Sequence, residues 1–234
     1  MLDTERYGVL VADFNGDGKD DLAYHGLCGT PSVPCWRVLA STGTGFAAAR
    51  NWSTDSTVTS ADTFTYGFHV GDFDDDGRAD IAFRASCGTD RHACWTVLAS
   101  QPGDSFAVRG FGDGMWADPA LTPTYGVLAA DFDGDRRTDL AYPGLCGTGV
   151  SCLRVQSSTG TSFVSLNWIT SPFYFDDAPV NVSAHFGMRA ADRNGDGLAD
   201  VATWGKCGAP GVPQWRYLLS TTGGATVSCS TTGP

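Results

Sequence analysis

The sequence is poor in the residues that build helices. Its 234 residues include a single glutamate, Glu5, and two lysines, whereas aspartate, glycine, serine and threonine are abundant. Glu and Lys are good helix formers, while Gly, Ser and Asp favour turns. The composition therefore predicts an all-β fold rich in tight turns.

Several functional signatures are also missing. No apolar run reaches the 18 residues that suggest a membrane helix, and no basic patch suggests a nucleic-acid partner. There is no G-x-S-x-G motif, no H-E-x-x-H motif and no Cys/His nucleophile arrangement, and one glutamate offers no convincing acid/base pair. We expect a protein that is not an enzyme, with a glycan hydrolase or lyase as the remaining enzymatic alternative.

A nine-residue segment occurs four times and organises the chain. The copies occupy residues 13–21, 72–80, 131–139 and 192–200, and their starts lie 59, 59 and 61 residues apart. The first copy reads Asp-Phe-Asn-Gly-Asp-Gly-Lys-Asp-Asp. A constant period of this size predicts one structural unit repeated four times.

Each copy places side-chain oxygens at positions 1, 3, 5 and 9. Ca²⁺ takes 6–8 oxygen ligands, including backbone carbonyls, and Mg²⁺ fits less well because it demands near-ideal octahedral geometry. The loop is not an EF-hand, because position 12 carries no glutamate. We predict about four Ca²⁺ sites, one per repeat, with a metal-free Asp/Gly turn as the alternative. The predicted ligands, with position 7 contributing its carbonyl, are Asp13, Asn15, Asp17, Lys19, Asp21, Asp72, Asp74, Asp76, Arg78, Asp80, Asp131, Asp133, Asp135, Arg137, Asp139, Asp192, Asn194, Asp196, Leu198 and Asp200.

The acidic balance of the chain follows from these loops. The net charge is −11, and sixteen of the 26 acidic residues lie in the four copies, so four Ca²⁺ ions would reduce the net charge to −3.

The third copy differs from the others, because Arg136 replaces the glycine at position 6. If that position needs a positive φ, a non-glycine residue costs roughly 1–2 kcal/mol. We therefore predict that the third site binds most weakly.

Eight cysteines follow the same period. Three pairs bracket short loops, and in the fourth repeat Gln214 stands where the partner of Cys207 would be. We expect four local disulfides, namely Cys28–Cys35, Cys87–Cys94, Cys146–Cys152 and Cys207–Cys229. Zinc binding is the weaker alternative, because no Cys-x-x-Cys spacing or accompanying His is present. Disulfides imply an oxidising compartment, so we expect a secreted protein cut from a longer chain.

Each repeat reads as four short strands around the acidic loop. The first strand, for example 7–12, is apolar or small on both faces and is expected to be buried on both. Four antiparallel strands per repeat describe the blade of a β-propeller. The run Val-Ala-Asp-Phe-Asn-Gly-Asp-Gly-Lys-Asp-Asp-Leu-Ala-Tyr at 11–24 resembles the FG-GAP/VCBS repeat family. That resemblance covers nearly the whole chain and implies a calcium-loop β-propeller, as in integrin α-subunits and lectin-type propellers.

The expected architecture is a single four-bladed propeller domain over 1–234. Its blades would span about 5–58, 59–118, 119–180 and 181–232. All four strand sets are complete in order, so no strand is exchanged between the first and last blades. A closed monomeric ring is favoured, and an open half-ring completed by a second copy is the alternative.

Ligand binding is expected where the repeats differ. The connections between repeats are long and aromatic, and exposed Trp and Tyr rings suit sugar faces. The candidates, which alternatively fill gaps between blades or line a solvated channel, are Trp52, Trp116, Trp168, Tyr174, His69 and Arg189. We predict a secreted, carbohydrate-binding (lectin-like) module whose partner is a glycan. The alternative is a protein-interaction or adhesion module, or an accessory domain of a larger secreted enzyme.

Overall fold

The computed structural model describes residues 8–29, 33–53, 66–87, 92–112, 126–145, 151–169, 187–207 and 212–231. The described residues form sixteen β-strands, which confirms the all-β class. None of them builds a helix that is long and apolar enough to cross a membrane.

The strands form four sheets of four strands each. The first sheet contains β1 (Val9–Ala12), β2 (Asp21–Cys28), β3 (Val33–Leu39) and β4 (Arg50–Ser53). The second contains β5 (Phe68–Gly71), β6 (Asp80–Cys87), β7 (His92–Gln101) and β8 (Ser105–Gly112). The third contains β9 (Leu128–Ala130), β10 (Asp139–Leu145), β11 (Ser151–Ser158) and β12 (Phe163–Ile169). The fourth contains β13 (Met188–Ala191), β14 (Asp200–Cys207), β15 (Val212–Thr221) and β16 (Gly224–Ser230).

Every sheet is a simple antiparallel meander in which sequence neighbours pair. Each sheet lies within one sequence repeat, so the prediction of four antiparallel strands per repeat is confirmed. The acidic loop is the turn between the first two strands of each sheet. In the first sheet, Ala12 pairs with Asp21 directly across the loop, and Ala130 pairs with Asp139 in the third. The nine-residue pattern therefore forms the turn of a β-hairpin.

The chain divides into two compact units. Residues 1–115 with 160–162 form the first, and residues 116–159 with 163–234 form the second. The first unit thus contains the first and second sheets, and the second unit contains the third and fourth. That the whole chain forms a single propeller domain stays a prediction.

The hydrophobic core of each unit lies between its two sheets. In the first unit, Phe14, Trp36 and Val38 of the first sheet pack with Ile81 and Phe83 of the second. The second unit repeats this arrangement with Phe132, Ala141, Val155, Met188, Val201 and Leu218. These residues are only 0–2% exposed. The main apolar stabilisation therefore comes from the packing between the two sheets of each unit.

The prediction that the first strand of a repeat is buried on both faces is wrong for β1. Val9 and Val11 of β1 are 48% and 57% exposed. The strand is an edge strand that pairs with β2 alone. Within the described part of its unit, one face of β1 lies toward the second sheet and the opposite face carries the two exposed valines.

Disulfide bonding agrees with the cysteine pattern as far as the structure describes it. Cys28 and Cys35 are bonded across the β2–β3 hairpin, with their Cα atoms 5.9 Å apart. Cys94, Cys152 and Cys229 are also disulfide-bonded. Their predicted partners Cys87, Cys146 and Cys207 have side chains outside the described residues, so those three pairings stay predictions.

Candidate functional site

The carboxylate at position 1 folds each acidic loop around itself. In the first loop, Asp13 accepts a hydrogen bond from Gly16 N at Oδ1 (2.7 Å) and from Gly18 N at Oδ2 (2.7 Å). In the fourth loop, Asp192 accepts the same pair of bonds, at 2.7 and 2.9 Å. The alternate carboxylates are thereby held on the inside of a compact turn.

Two positions of the loop require a left-handed backbone. At position 6, φ is 81° at Gly18 and 72° at Arg136, so the expected positive φ is confirmed for the third copy. Position 4 is glycine in three copies, but Asp75 adopts φ 58° there in the second. The sequence analysis missed this second position. Asp tolerates the left-handed region better than Arg does, so the strain is concentrated in the third loop.

The aspartate at position 9 braces the loop against the third strand. Asp80 is fully buried; its Oδ2 accepts a hydrogen bond from Phe73 N (3.0 Å) and its Oδ1 from Ser100 N (2.8 Å). The same two bonds recur in all four copies, for Asp21, Asp80, Asp139 and Asp200. A carboxylate oxygen has a second lone pair, so these bonds leave position 9 able to bind a cation as well.

Carboxylates converge in the second and third loops. The carboxylate oxygens of Asp72, Asp74 and Asp80 lie within 4.8 Å of one another, and those of Asp131, Asp133 and Asp139 do the same. In the first and fourth loops, position 3 is an asparagine, whose amide oxygen is also a suitable ligand. The first and fourth loops therefore offer one carboxylate fewer at this position.

Electrostatics in the second and third loops favour a bound cation. Burial, reinforced by neighbouring carboxylates, raises the pKa of Asp80 to about 8 and that of Asp139 to about 7. Burial also raises the pKa of Asp74, with a contribution from the charge of Asp76. Asp74 Oδ1 is buried and has no hydrogen-bond partner, whereas Oδ2 accepts a bond from Arg109 (2.8 Å). A hard cation would satisfy this oxygen and keep the cluster ionised.

Positions 5 and 7 form an ion pair in the first three loops. Lys19 Nζ lies 2.9 Å from Asp17, and Arg78 and Arg137 pair with Asp76 and Asp135. Leu198 takes this place in the fourth loop, where the amide of Asn194 donates to Asp196 instead (2.9 Å). The basic side chains therefore offset part of the carboxylate charge when no cation is bound.

Loops within one unit are joined to each other. Ala79 N donates to the carbonyl of Asp13 (2.8 Å), and Ala199 N donates to the carbonyl of Asp131 (2.8 Å). Position 8 of one loop thus binds position 1 of the preceding loop. Any cation that orders one loop would also act on the packing between the two sheets of that unit.

The tryptophans proposed as sugar platforms are corrected by the structure. Trp52 lies in β4 at 4% exposure, with its ring 5.0 Å from that of Phe106. Trp168 lies in β12 at 8% exposure, 5.7 Å from Phe132. Both rings are covered by phenylalanines of the core and cannot offer an open face. Trp116 and Tyr174 lie outside the described residues.

The two polar candidates on first strands differ from each other. His69 Nε2 lies 2.9 Å from the carbonyl of Tyr66, and its ring packs 5.8 Å from Trp95. Burial lowers the pKa of His69 to about 4, so this side chain stays neutral. Arg189 is exposed and donates to the carbonyl of Met188 (2.9 Å). Of the pair, Arg189 is the one presented to solvent.

The described residues line cavities in both units, and two of them contain candidate residues. One, of about 230 Å³, lies in the first unit. Its lining includes Trp52 and the ion pair of Arg50 and Asp104, whose charged atoms are 2.6 Å apart. The other, of about 210 Å³, lies on the fourth sheet and is lined by Arg189, Arg193 and Tyr217 among others. The sequence analysis named Trp52 and Arg189 but missed Arg50 and Asp104, which lie outside the repeated loops. It also missed Arg193, although that residue replaces the phenylalanine found at position 2 of the other three loops.

Comparisons with known proteins address the fold. No family model matches the chain, and no curated protein matches it. Among solved structures, the chain is similar to a lectin from Agrocybe aegerita described as specifically recognising non-reducing terminal N-acetylglucosamine. The TM-score is 0.64 at 19% identity over 94% of this chain and 51% of the lectin. It is also similar to part of the Tc holotoxin pore of Photorhabdus luminescens, with a TM-score of 0.57 at 16% identity over 99% of this chain and 10% of the toxin chain. The chain thus spans about half of the lectin's length and shares its fold there.

Proposed function

We propose that this protein is a calcium-stabilised carbohydrate-binding module whose four sheets are the blades of a β-propeller of the FG-GAP/VCBS type. The four loops bind Ca²⁺ and hold neighbouring sheets together. A separate cavity binds a terminal sugar residue. The disulfides, which persist in oxidising compartments, support an extracellular location.

The proposal of a calcium site rests on the second loop. Asp72, Asp74 and Asp80 converge there, and the unpartnered Oδ1 of Asp74 is buried among them. Leaving a buried carboxylate oxygen unsatisfied is costly, and a cation with flexible oxygen coordination removes that cost. Ca²⁺ would orient the loop and screen its charge, with no part in a chemical step.

The proposal of sugar binding rests on the cavity of about 230 Å³ in the first unit. The exposed ion pair of Arg50 and Asp104 lines this cavity and supplies both donors and acceptors for hydroxyl groups. The volume is below the range typical of sites for drug-sized ligands, which suits the end of a glycan rather than a long chain. The lectin with the same fold supports this choice of ligand class.

A glycan array followed by calorimetry tests this function in the presence of calcium. Ala48 is exposed and lines the cavity, so Ala48→Phe should fill it without disturbing the core. Val108→Phe, on an exposed site of β8 outside the cavity lining, is the matched control. We expect terminal N-acetylglucosamine or a related sugar to bind the native protein and the control but not Ala48→Phe. Binding that is unchanged in Ala48→Phe would contradict the proposed cavity.

A protein-interaction module is the second candidate function. The exposed apolar residues Val9 and Val11 on one sheet face favour it, because exposed apolar surface marks many protein interfaces. A protein that binds no sugar on the array would leave this candidate standing. Turnover of a polysaccharide would contradict both candidates and support a hydrolase or lyase.

A further inference from the structure

The two acidic loops of each unit are joined by a backbone hydrogen bond. In the first unit, Ala79 N, at position 8 of the second loop, donates to the carbonyl of Asp13, at position 1 of the first loop (2.8 Å). In the second unit, Ala199 N of the fourth loop donates to the carbonyl of Asp131 of the third (2.8 Å). Each bond lies within one unit, so the link between the two loops is a property of that unit by itself.

The donor of this bond belongs to a peptide group that also carries a predicted Ca²⁺ ligand. Position 7 of each loop is expected to offer its carbonyl oxygen to the cation. In the second loop, the carbonyl of Arg78 and the N–H of Ala79 are parts of one planar peptide group. In the fourth loop, Leu198 and Ala199 share a peptide group in the same way. A cation on the carbonyl oxygen restricts the orientation of this group and polarises its N–H, which strengthens the hydrogen bond to the earlier loop.

Side chains make a second contact between the same two loops. A Cβ added at Gly16, position 4 of the first loop, would lie 3.0 Å from Cγ of Arg78. A Cβ added at Gly134, in the third loop, would lie 2.7 Å from Cδ2 of Leu198. In both units, the side chain at position 7 of the later loop therefore packs closely over position 4 of the earlier loop.

The residues that are contacted in the earlier loop are those that order it. Asp13, a predicted ligand, accepts a hydrogen bond at Oδ1 from Gly16 N (2.7 Å). In the third loop, Asp131 Oδ1 accepts the same bond from Gly134 N (2.6 Å). The later loop thus touches both residues of a bond that shapes the earlier site. When a cation orders one loop, less conformational entropy is lost in ordering the other, and this is positive coupling between the two sites.

We propose that the two Ca²⁺ sites of each unit bind cooperatively, the first with the second and the third with the fourth. The link is the peptide group between positions 7 and 8 of the later loop. The effect is reciprocal, because an occupied site must raise the affinity of its neighbour by the same factor that it gains from it. Coupling between two sites commonly changes affinity by about 5–150-fold, and about fivefold or more is expected here. This inference rests on the proposed calcium binding and is independent of sugar binding.

Two glycine amides report the first and second sites separately by NMR. Gly18 N donates to Asp13 Oδ2 (2.7 Å), and Gly77 N donates to Asp72 Oδ2 (2.8 Å). Each resonance should therefore shift when its own loop binds Ca²⁺. In a titration of the ion-free, disulfide-bonded native chain, both curves should be steeper than a single-site curve, because the two sites fill together.

Removal of one site should weaken the other. Asp76→Asn changes a predicted ligand at position 5 of the second loop. It should raise the calcium concentration at the midpoint of the Gly18 curve by about fivefold and give that curve a single-site shape. Asp75→Asn is the matched control, because it removes the same charge from an exposed neighbour that is not a predicted ligand. It should leave the Gly18 curve unchanged.

The reciprocal experiment uses the first loop. Asp17→Asn, at position 5, should weaken the second site, read at Gly77, whereas Asp20→Asn, at an exposed residue outside the predicted ligand set, should not. Circular dichroism would confirm that the variants are folded. Native curves of single-site shape, or a Gly18 midpoint that Asp75→Asn and Asp76→Asn change equally, would overturn the coupling and leave calcium binding standing. If neither amide responded to Ca²⁺, the proposed calcium function would fail and this inference with it.

Discussion

Removal of calcium should reveal carboxylates whose protonation controls stability. In the second and third loops, burial raises the pKa of Asp80 to about 8 and that of Asp139 to about 7. These values describe loops without a cation. We predict that a chelator destabilises the protein far more at pH 8 than at pH 5.

The sign follows from proton binding. An aspartate in the unfolded chain titrates near 3.9, so between about pH 4 and each raised pKa the folded, ion-free loop holds more protons than the unfolded chain. The stability of the ion-free protein must therefore fall as the pH rises through that window. With Ca²⁺ bound, the carboxylates are ionised and paired, so stability should change little over the same range.

The magnitude is several kcal/mol. The pKa is about 8 for Asp80 and about 7 for Asp139 in the folded, ion-free loops, against about 3.9 in the unfolded chain, and each tenfold change in proton affinity corresponds to about 1.4 kcal/mol. Calcium at 100 times the dissociation constant adds about 2.7 kcal/mol per site. For a protein of this length, 1 kcal/mol shifts the melting temperature by roughly 2–4 °C, so a difference of ten degrees or more is expected at pH 8.

The assay is a set of thermal melts at pH 5, 6, 7 and 8, with calcium, with magnesium and with chelator, beside calorimetric counting of bound ions. Asp74→Asn, within the carboxylate cluster, should lose most of the calcium effect of its loop. Asp75→Asn, exposed in the same loop and outside the cluster, should retain it. Equal pH dependence with and without calcium, or equal stabilisation by magnesium, would refute this reasoning.

Three further outcomes are expected. Arg136→Gly should raise the melting temperature in chelator and the Ca²⁺ affinity of the third site, because it removes a left-handed arginine that costs roughly 1–2 kcal/mol. Asp75→Gly should have a smaller effect. A larger effect of Asp75→Gly than of Arg136→Gly would contradict the strain argument. Cys28→Ser combined with Cys35→Ser should cost about 2–3 kcal/mol in denaturant unfolding, since it releases a short closed loop; an unchanged midpoint would show that the bond contributes nothing. His69 should show no imidazole titration by NMR above about pH 5, because burial lowers its pKa to about 4. The stability that the neutral ring contributes should be lost only as the pH falls from about 6.5 toward 4. A titration near pH 6.5 would mean that the ring is solvated.

The local structure of the repeat could be predicted from the sequence. The spacing of Asp, Asn and Gly in each nine-residue loop predicts a tight turn, and the β-branched and aromatic residues beside it predict strands. Both are found, as in β1 (Val9–Ala12) and β2 (Asp21–Cys28). The positive φ at Arg136 was also predictable, because glycine occupies that position in the other three copies.

The roles of individual side chains could not be read in the same way. Asp80 has the sequence position of a ligand, yet both of its oxygens also accept backbone hydrogen bonds, one of them from Ser100 twenty residues away. Trp52 stands just before a variable connection and is a residue type that suits a sugar-binding surface, yet Phe106 of another sheet packs against its ring. Neither contact leaves a trace in the local pattern.

The sequence alone therefore determined the repeat, the hairpin around each acidic loop and the chemistry that suits a hard cation. Tertiary structure decided that Trp52 and Trp168 are core residues, that Asp74 holds a buried unpartnered oxygen, and that the first sheet keeps Val9 and Val11 exposed. The physical reason is the sequence separation over which the two kinds of interaction act. Turn and strand preferences act between residues a few positions apart, whereas burial depends on which distant surface packs against a side chain.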